Sequence, residues 1–322
     1  MNRLHEIETI GEAHGKLILV GEHIVVYNKP AIAIPFPLKI YAGIKGRNDE
    51  DISISSDVYT GKLEEQSNCM KGLYHCIQQS LLICKKPKAG LQIDVKSEIP
   101  EGRGLGSSAA VATAITRGIF RHFQQPLSEE ELFSLVSMSE THAHGNPSGI
   151  DMVAVSKEEP ILFCKPMRVA SITAPSAFHI IVADTGQAGA TKKAVEHVRD
   201  LRVQRPTLID HIIKQIEELV IKANEAILDG NPSLLGELLL KNHEKLKELE
   251  VSNPMLDHLV EVAIRSGALG AKLTGGGMGG CILALAKDTR DAKIISKELK
   301  NGGAKMVWSF STDSNRLYQW NG

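Results

Sequence analysis

The sequence predicts a mixed α+β fold in two domains, and three observations support this prediction. The chain has 322 residues, which is more than one hydrophobic core usually serves. Short runs of aliphatic residues alternate with segments of helical periodicity along its length. Hydrophobic residues make up 43% and charged residues 23% of the composition, as in an ordinary globular chain. We therefore expect a folded body large enough to enclose a shaped pocket.

Runs of aliphatic and β-branched residues, bounded by glycine, proline or charged residues, predict the strands. They lie at 16–20, 31–34, 38–44, 91–95, 161–164, 178–183, 281–286 and 305–310. This number of strands is sufficient for at least two sheets.

Apolar residues at helical spacing predict the helices. The segment 128–144 begins with a capping box formed by Ser128 and Glu131. The strongest periodicity covers 207–229, and two further helices are expected at 233–250 and 255–266. Prolines punctuate the region around residue 172, where we place the domain boundary. This divides the chain into domains 1–172 and 173–322.

Charge and cysteine content exclude several classes of function. Lys and Arg total 37 against 38 for Asp and Glu, so no net field draws the chain to nucleic acid or to an anionic bilayer. No apolar stretch approaches the roughly 18 residues that span a membrane, and the first residues are acidic instead of forming a basic leader. The five cysteines are scattered, which favours reduced thiols over disulfides or zinc. We expect a cytoplasmic protein whose metal chemistry, if any, uses oxygen ligands.

A glycine-rich segment follows the predicted strand 91–95 and opens a helix of small residues that runs to about Phe123. From 100 to 110 it reads Pro-Glu-Gly-Arg-Gly-Leu-Gly-Ser-Ser-Ala-Ala. Alternating glycines let backbone N–H groups approach an anion, and a helix N-terminus adds partial positive charge. The segment therefore indicates phosphate binding, with one of Ser107 and Ser108 capping the helix and the other ligating Mg²⁺. A plain glycine turn with a serine cap is the alternative.

Two familiar nucleotide-binding loops do not fit this segment. It lacks the Gly-Lys-Ser/Thr ending of a Walker loop. A Rossmann loop joins the first strand and helix of its unit and has an acidic residue about 20 positions on, whereas residues 121–128 contain none. A different phosphate-binding family is implied.

The 100–109 segment reproduces P-x-G-x-G-L-G-S-S-A, and in this it resembles the second signature of the GHMP small-molecule kinases. A first signature stands at 15–27, Gly-Lys-Leu-Ile-Leu-Val-Gly-Glu-His-Ile-Val-Val-Tyr, followed by Pro-Ala-Ile-Ala at 30–33. This form is similar to that of mevalonate kinases. The third signature stands at 272–281, Lys-Leu-Thr-Gly-Gly-Gly-Met-Gly-Gly-Cys. It departs from the usual pattern at Gly276, where alanine is common, and at Met278, where glycine is common.

The resemblance implies a GHMP kinase fold, with an N-terminal ribosomal-protein-S5-domain-2-like domain, a C-terminal ferredoxin-like domain and the active site between them. It implies that ATP phosphates lie on the loop. The residues expected to bind them are Gly102, Arg103, Gly104, Leu105, Gly106, Ser107 and Ser108. It also implies that Mg²⁺ is held by Ser108 and Glu140. Taken from the residues alone, a solvated helix position is the favoured interpretation of Glu140.

Two catalytic residues follow from the same resemblance. Asp151 ends the segment 144–151, His-Gly-Asn-Pro-Ser-Gly-Ile-Asp, and corresponds to the aspartate that faces the substrate hydroxyl. Lys16 is expected beside it, where positive charge favours the ionised carboxylate and the developing phosphoryl charge. Glu22, His23 and Thr191 are expected to contact substrate. Without the resemblance, Lys16 is compatible with a surface charge and Glu22 and His23 with a strand end.

The activity implied is ATP-dependent phosphorylation of the primary C5 hydroxyl of mevalonate, giving 5-phosphomevalonate. The resemblance is compatible with a homodimer, but the sequence does not reveal the oligomeric state. One alternative is another GHMP kinase that acts on phosphomevalonate or a sugar. A phosphorylated acceptor would require additional cationic side chains, which the sequence does not visibly provide. The other is a ligand-sensing relative without catalysis, which the presence of Lys16, Glu140 and Asp151 disfavours.

Overall fold

The structure is a computed structural model that describes residues 8–64, 70–144, 148–165, 168–313 and 317–320. The side chains of 143–144 and 317–320 are outside the description. Cys69 and residues 145–147 of the predicted substrate segment lie outside the described residues. The four described cysteines, Cys76, Cys84, Cys164 and Cys281, are free thiols. No helix within the described ranges is long and apolar enough to cross a membrane.

Strands form where aliphatic and β-branched residues alternate or run together. In chain order they are β1 Thr9–Val20, β2 Ala31–Gly46, β3 Ile52–Ser55, β4 Thr60–Lys62, β5 Leu91–Ser97, β6 Ile161–Cys164, β7 Arg168–Ser171, β8 His179–Asp184, β9 Gly270–Thr274, β10 Cys281–Ala286, β11 Met306–Ser311 and β12 Leu317–Trp320. The predicted strands at 161–164 and 281–286 are confirmed. The structure adds β3, β4, β7, β9 and β12, most of which are short.

The helices are α1 Lys71–Ile83, α2 Ser107–His122, α3 Glu129–His144, α4 Ile150–Ala154, α5 Thr191–Gln204, α6 Pro206–Leu228, α7 Pro232–Glu248, α8 Pro254–Arg265 and α9 Thr289–Asn301. The predicted capping box is confirmed: the Ser128 N–H donates to Glu131 Oε2 at 3.0 Å, and the Glu131 N–H donates to Ser128 Oγ at 3.2 Å. The helices α1, α4, α5 and α9 were not predicted. In α5 and α9 charged residues dominate, so the apolar stripe is narrow.

One predicted break in the second strand is wrong. The runs 31–34 and 38–44 were separated because proline cannot donate to a strand ladder. In the structure β2 is continuous through Pro35 and Pro37. Residues 31–33 pair with β6 and residues 40–46 pair with β5, so both prolines fall in the stretch that neither ladder uses.

The chain groups into two compact units, each assembled from separate stretches. Unit 1 comprises Met1–Gly15, Leu38–Pro100 and Gly106–Ser156; unit 2 comprises Lys16–Pro37, Glu101–Leu105 and Lys157–Gly322. The chain passes to unit 2 for the last time after Ser156, whereas the sequence suggested one boundary near residue 172. The division into domains 1–172 and 173–322 stays a prediction.

Unit 1 combines short strands with a group of packed helices. The strand β3 runs parallel to β5 and antiparallel to β4, and β5 pairs with the second half of β2. The helices α1, α2 and α3 pack against one another. The strand β1 approaches α2 closely at Gly11, where an added Cβ would lie 2.3 Å from the Gly118 backbone nitrogen. A side chain at residue 11 would therefore prevent this approach.

Unit 2 is built on an antiparallel sheet with the strand order β12-β11-β8-β10-β9. The strands β8, β9, β10 and β11 are connected as β-α-β-β-α-β, with four helices in the first crossover and α9 in the second. This is the connectivity of a ferredoxin-like domain. The strand β10 is buried at every residue. The carboxyl end of β8 and the turn after β9 therefore emerge from the interior of this unit.

Candidate active site

The glycines of the 102–106 loop are required by its backbone conformation. Gly102, Gly104 and Gly106 have φ of 63°, 76° and 80°. These values lie in the left-handed region that residues with a Cβ rarely adopt. Gly106 is also the N-cap of α2. The alternating spacing that suggested an anion loop thus corresponds to alternating left-handed residues.

The start of α2 differs from the prediction in one respect. We expected one of the two serines to cap the helix, but both lie within its first turn and Gly106 caps it without a side-chain hydrogen bond. Because the first N–H groups of a helix have no intrahelical acceptor, this end offers donors to an anion. The capping role of a serine is therefore wrong, and anion binding by the segment stays a prediction.

Ser108 and Glu140 meet within unit 1. The Ser108 hydroxyl donates to Glu140 Oε1 at 2.6 Å, and the Glu140 residue is only 4% exposed. The alternative of a solvated helix position is excluded by this burial. A hydroxyl oxygen and a carboxylate oxygen therefore lie side by side at the start of α2. No group of three or more His, Cys, Asp or Glu residues is placed for a metal ion within the described ranges.

The two residues predicted to be catalytic belong to different units. Asp151 is half-buried in the first turn of α4, a helix that begins directly after Gly149, whose φ is 90°. Lys16 belongs to unit 2, is 3% exposed, and its backbone N–H donates to Leu105 O at 2.9 Å. Lys16 is thus a buried residue of β1 and not a surface charge. The pairing of Lys16 with Asp151 stays a prediction.

Glu22 lies in a buried ion pair with Lys272, a residue that sequence reasoning missed. The Lys272 ammonium donates to Glu22 Oε1 and, at 2.6 Å, to Leu273 O. Asn242 Nδ2 donates to the other carboxylate oxygen, Oε2, at 3.1 Å. Burial lowers the pKa of Lys272, and the Glu22 carboxylate opposes this shift. Both oxygens of Glu22 are therefore engaged within the protein.

His23 presents a neutral imidazole with one nitrogen unused. Its Nε2 donates to Gly276 O at 2.9 Å. Its Nδ1 is buried without a hydrogen-bond partner in the described part of the chain. Burial lowers the pKa of His23 from 6.5 to about 4, and the Lys272 charge acts in the same direction. Since Nε2 carries the proton, Nδ1 is a bare acceptor.

The third glycine motif is close to Thr191, and Gly276 makes this proximity possible. A Cβ added to Gly276 would lie 2.6 Å from Thr191 Cα and 2.7 Å from its Oγ1. The space that an alanine methyl would need is therefore filled by the first residue of α5. Met278 adopts φ of 55°, so it keeps the left-handed backbone of the glycine that it replaces, and its N–H donates to Val251 O at 2.7 Å.

Arg103 of the loop faces Asp184 at the end of β8. Its Nε lies 2.9 Å from the Asp184 carboxylate, and the two side chains are 12% and 2% exposed. Its Nη2 donates to Gly186 O at 3.3 Å.

The predicted site residues divide between the two units. Those in unit 2 are Lys16, Glu22, His23, Gly102, Arg103, Gly104, Leu105 and Thr191. Those in unit 1 are Gly106, Ser107, Ser108, Glu140 and Asp151.

The residues that the sequence analysis did not predict, Lys272, Asn242 and His243, are polar residues at buried positions among apolar residues. The apolar face of α7 includes Leu235, Leu238, Leu239 and Leu246, and Asn242 and His243 interrupt it at buried positions. Likewise, Lys272 is the charged residue of a strand that is buried throughout. A polar residue on a core face must find a partner. Asn242 binds Glu22, and His243 Nδ1 accepts from the Leu273 N–H at 3.4 Å.

Comparisons with known proteins agree with these features. A family model described as the GHMP kinases N terminal domain matches residues 68–158, and one described as GHMP kinases C terminal matches residues 223–305. A mevalonate kinase of Pyrococcus horikoshii is 34% identical over 329 residues, which cover 96% of this chain and 97% of the relative.

Solved structures give the same result. The structure of L. major mevalonate kinase in complex with R-mevalonate matches with a TM-score of 0.81 at 26% identity, covering 95% of each chain. The Methanococcus jannaschii mevalonate kinase matches with a TM-score of 0.79 at 27% identity, covering 98% of this chain and 99% of that one. Similarity therefore extends over nearly the full length in both sequence and fold.

Replacement of Lys272 by methionine should destabilise the protein strongly. It leaves the Glu22 carboxylate buried without its cation, and breaking such pairs costs about 3–5 kcal/mol. Denaturant unfolding measures the loss. Lys245→Met is the matched control, because the Lys245–Glu248 pair, at 2.6 Å, is partly exposed and should contribute less than about 1 kcal/mol. Equal losses for the two variants would contradict the importance given to the buried pair.

Stability should fall as the pH is lowered from 6.5 to about 4. Burial lowers the pKa of both His23 and His243 from 6.5 to about 4, so unfolding takes up protons in this window. The stabilisation is complete above pH 6.5 and is lost as the pH falls through about 4. His243→Gln should flatten the slope of unfolding free energy by up to about 1.4 kcal/mol per pH unit.

Denaturant unfolding across this window measures the slope of unfolding free energy. His211→Gln, at an exposed position of α6, controls for the loss of an exposed imidazole. An unchanged slope in His243→Gln would show that His243 takes up no proton on unfolding.

Proposed function

We propose that this chain, which belongs to the mevalonate kinases of the GHMP kinase superfamily, transfers the γ-phosphoryl group of ATP to the primary C5 hydroxyl of mevalonate. Mevalonate kinase activity follows from similarity over nearly the full chain to curated and solved mevalonate kinases. The observation that carries the acceptor assignment is the R-mevalonate complex of the L. major relative, together with the match at 15–33.

The ATP phosphates are proposed to lie along residues 102–108. Three left-handed glycines keep side chains away from the backbone, and the uncapped N-terminus of α2 provides N–H donors and partial positive charge. Ser107 and Ser108 add hydroxyls in the first turn. Phosphoryl transfer depends chiefly on positioning and on electrostatic stabilisation, so a rigid cradle of this kind supplies much of what the reaction needs.

The residues present fit a magnesium ion. The Ser108 hydroxyl and the Glu140 carboxylate lie 2.6 Å apart, and Mg²⁺ in nucleotide sites is bound through one or two protein oxygens together with phosphates and waters. We propose that Ser108 and Glu140 hold it. When bound, Mg²⁺ would neutralise charge that develops on the phosphate oxygens.

Asp151 is proposed to orient the acceptor hydroxyl and take its proton. As the new bond forms between the hydroxyl oxygen and the γ-phosphorus, the bond from that phosphorus to the β–γ bridging oxygen breaks and ADP leaves. The proton passes to the Asp151 carboxylate. Lys16, on the buried face of β1, is proposed to favour the ionised form of Asp151 and to offset the negative charge that develops.

His23 and Thr191 are proposed to bind mevalonate, with Gly276 linking them. The bare Nδ1 of His23 can accept a hydrogen bond from a substrate hydroxyl but offers nothing to a carboxylate. Gly276 accepts from His23 through its carbonyl and lies against Thr191 through its Cα. Glu22 has both carboxylate oxygens engaged, so we propose that it holds the turn that carries His23.

An acceptor panel tests the function. ADP release is measured with mevalonate, phosphomevalonate, homoserine and galactose, in the presence of ATP and Mg²⁺. We expect turnover with mevalonate to exceed that with every other acceptor, because the sequence does not visibly provide the additional cationic side chains that a phosphorylated acceptor would require. Comparable kcat/KM for phosphomevalonate or galactose would reject the acceptor assignment, and no ATP turnover with any acceptor would favour a ligand-sensing relative.

Asp151→Asn and Lys16→Met should each lower kcat by roughly 10²–10⁴, the usual contribution of a positioned proton acceptor and its electrostatic support. Both substitutions nearly preserve side-chain volume, and thermal unfolding of each variant measures any loss of stability separately from the loss of kcat. Steady-state kinetics with saturating mevalonate and ATP measures the effect. Lys45→Met, which removes a partly exposed lysine paired with Glu8, is the control. Turnover like that of the parent in either variant would remove that residue from the proposed mechanism.

A further inference from the structure

Arg103 is the second variable residue of the pattern P-x-G-x-G, so the second signature does not specify which amino acid stands there. Its place in the loop suggested a phosphate ligand. The structure directs its guanidinium elsewhere: Nε lies 2.9 Å from the Asp184 carboxylate and Nη2 donates to Gly186 O. With Asp184 2% exposed, the arginine charge is neutralised where solvent does not screen it. A neutralised cation adds little attraction for a triphosphate.

Asp184 is itself held in place on its other side. Its Oδ1 accepts from the Gly186 N–H at 2.8 Å, and the residue ends β8, the central strand of the unit 2 sheet. The turn that follows returns to the loop, because the Gly189 N–H donates to Gly102 O at 2.7 Å. The stretch 101–105 is therefore fastened to this turn at two successive residues: through the backbone at Gly102 and through the side chain at Arg103.

The third glycine motif contacts the backbone of Arg103 through Gly280. A Cβ on Gly280 would lie 2.8 Å from Arg103 O, so the two backbones are in direct contact. Gly280 N–H donates to Gln187 O at 2.9 Å within the same turn. All of these contacts lie within unit 2. The Arg103 side chain is therefore a charged contact of a segment that is also held by backbone hydrogen bonds and by the buried side chain of Leu105.

We propose that Arg103 is a positioning residue and not a phosphate ligand, and that Asp184 is its partner in setting the course of the ATP-binding loop. This inference rests on the proposed role of residues 102–108 in ATP binding. It adds to the site Asp184, a residue that lies outside the three signatures. Charge-assisted hydrogen bonds of this type are about twice as strong as neutral ones, so loss of either partner should loosen the loop to a similar extent.

The two roles of Arg103 predict opposite behaviour for Asp184→Ala. If Arg103 fastens the loop, then Arg103→Met and Asp184→Ala each raise KM for ATP by roughly tenfold, with KM for mevalonate changed much less. The double variant is then no worse than either single variant, because both remove the same interaction. If Arg103 binds phosphate directly, Asp184→Ala frees its charge and KM for ATP stays equal or falls. That result overturns the proposal.

Hydrogen exchange in the peptide 101–108 without nucleotide provides a readout independent of activity. Faster exchange in both single variants, together with the rise in KM for ATP, supports the fastening role. Faster exchange with unchanged KM for ATP, or unchanged exchange in both variants, contradicts it. Should the unmodified protein fail to phosphorylate mevalonate while exchange responds as expected, the proposed function fails and the fastening contact does not.

Two further variants guard against misfolding and general charge effects. Asp184→Asn keeps the size and one acceptor oxygen of the carboxylate, so it should fold if Asp184→Ala does not, and should raise KM for ATP less than Arg103→Met. Asp210→Ala removes the carboxylate of an exposed pair, Arg202–Asp210 at 2.6 Å, and should leave KM for ATP unchanged. A rise in KM for ATP in Asp210→Ala equal to that in Asp184→Ala would overturn the proposal.

Discussion

The buried ion pair between Lys272 and Glu22 is the interaction on which the arrangement of unit 2 depends. A lysine in a strand that is buried throughout needs a counter-charge, because an unpaired ammonium in the interior is very costly. The counter-charge comes from the opposite end of the sequence, from the turn that also carries His23. Asn242 satisfies the second carboxylate oxygen from α7. One electrostatic requirement thus ties a strand, a turn and a helix together beside the glycine-rich segments.

Close backbone packing is the second constraint, because the glycines of the third motif leave room for neighbouring main-chain atoms. An added Cβ would lie 2.2 Å from Val251 O at Gly277 and 2.4 Å from Ala188 O at Gly279. The stretches 101–105, 184–191 and 275–280 therefore contact one another through main-chain atoms. Such contacts have few adjustable side chains, so the position of each stretch is determined by its neighbours. The stretch 101–105 is consequently held in place by its neighbours in unit 2.

Much of the site could be predicted from the sequence because its chemistry is local in the chain. The capping box of α3, the glycine loop before α2 and the closeness of Ser108 to Glu140 were accessible from motifs or from resemblance. The ion pair Lys272–Glu22 was not, since its partners are 250 positions apart and no periodicity links them. The interrupted apolar faces of β9 and α7 showed only that partners were needed. The continuity of β2 through its prolines was also inaccessible, because it depends on which neighbour each half pairs with.

The missing methyl at Gly276 limits how this sequence can be altered. Alanine is the common residue at this point of the glycine motif, and a design that averages the sequences of relatives would restore it. Here the backbone of Thr191 already occupies that volume, so the averaged residue would displace the first turn of α5 and with it the loop that begins at Asp184. Gly276 and Thr191 are therefore sterically coupled. A chimaera that takes the glycine motif from one enzyme must take the start of α5 from the same enzyme.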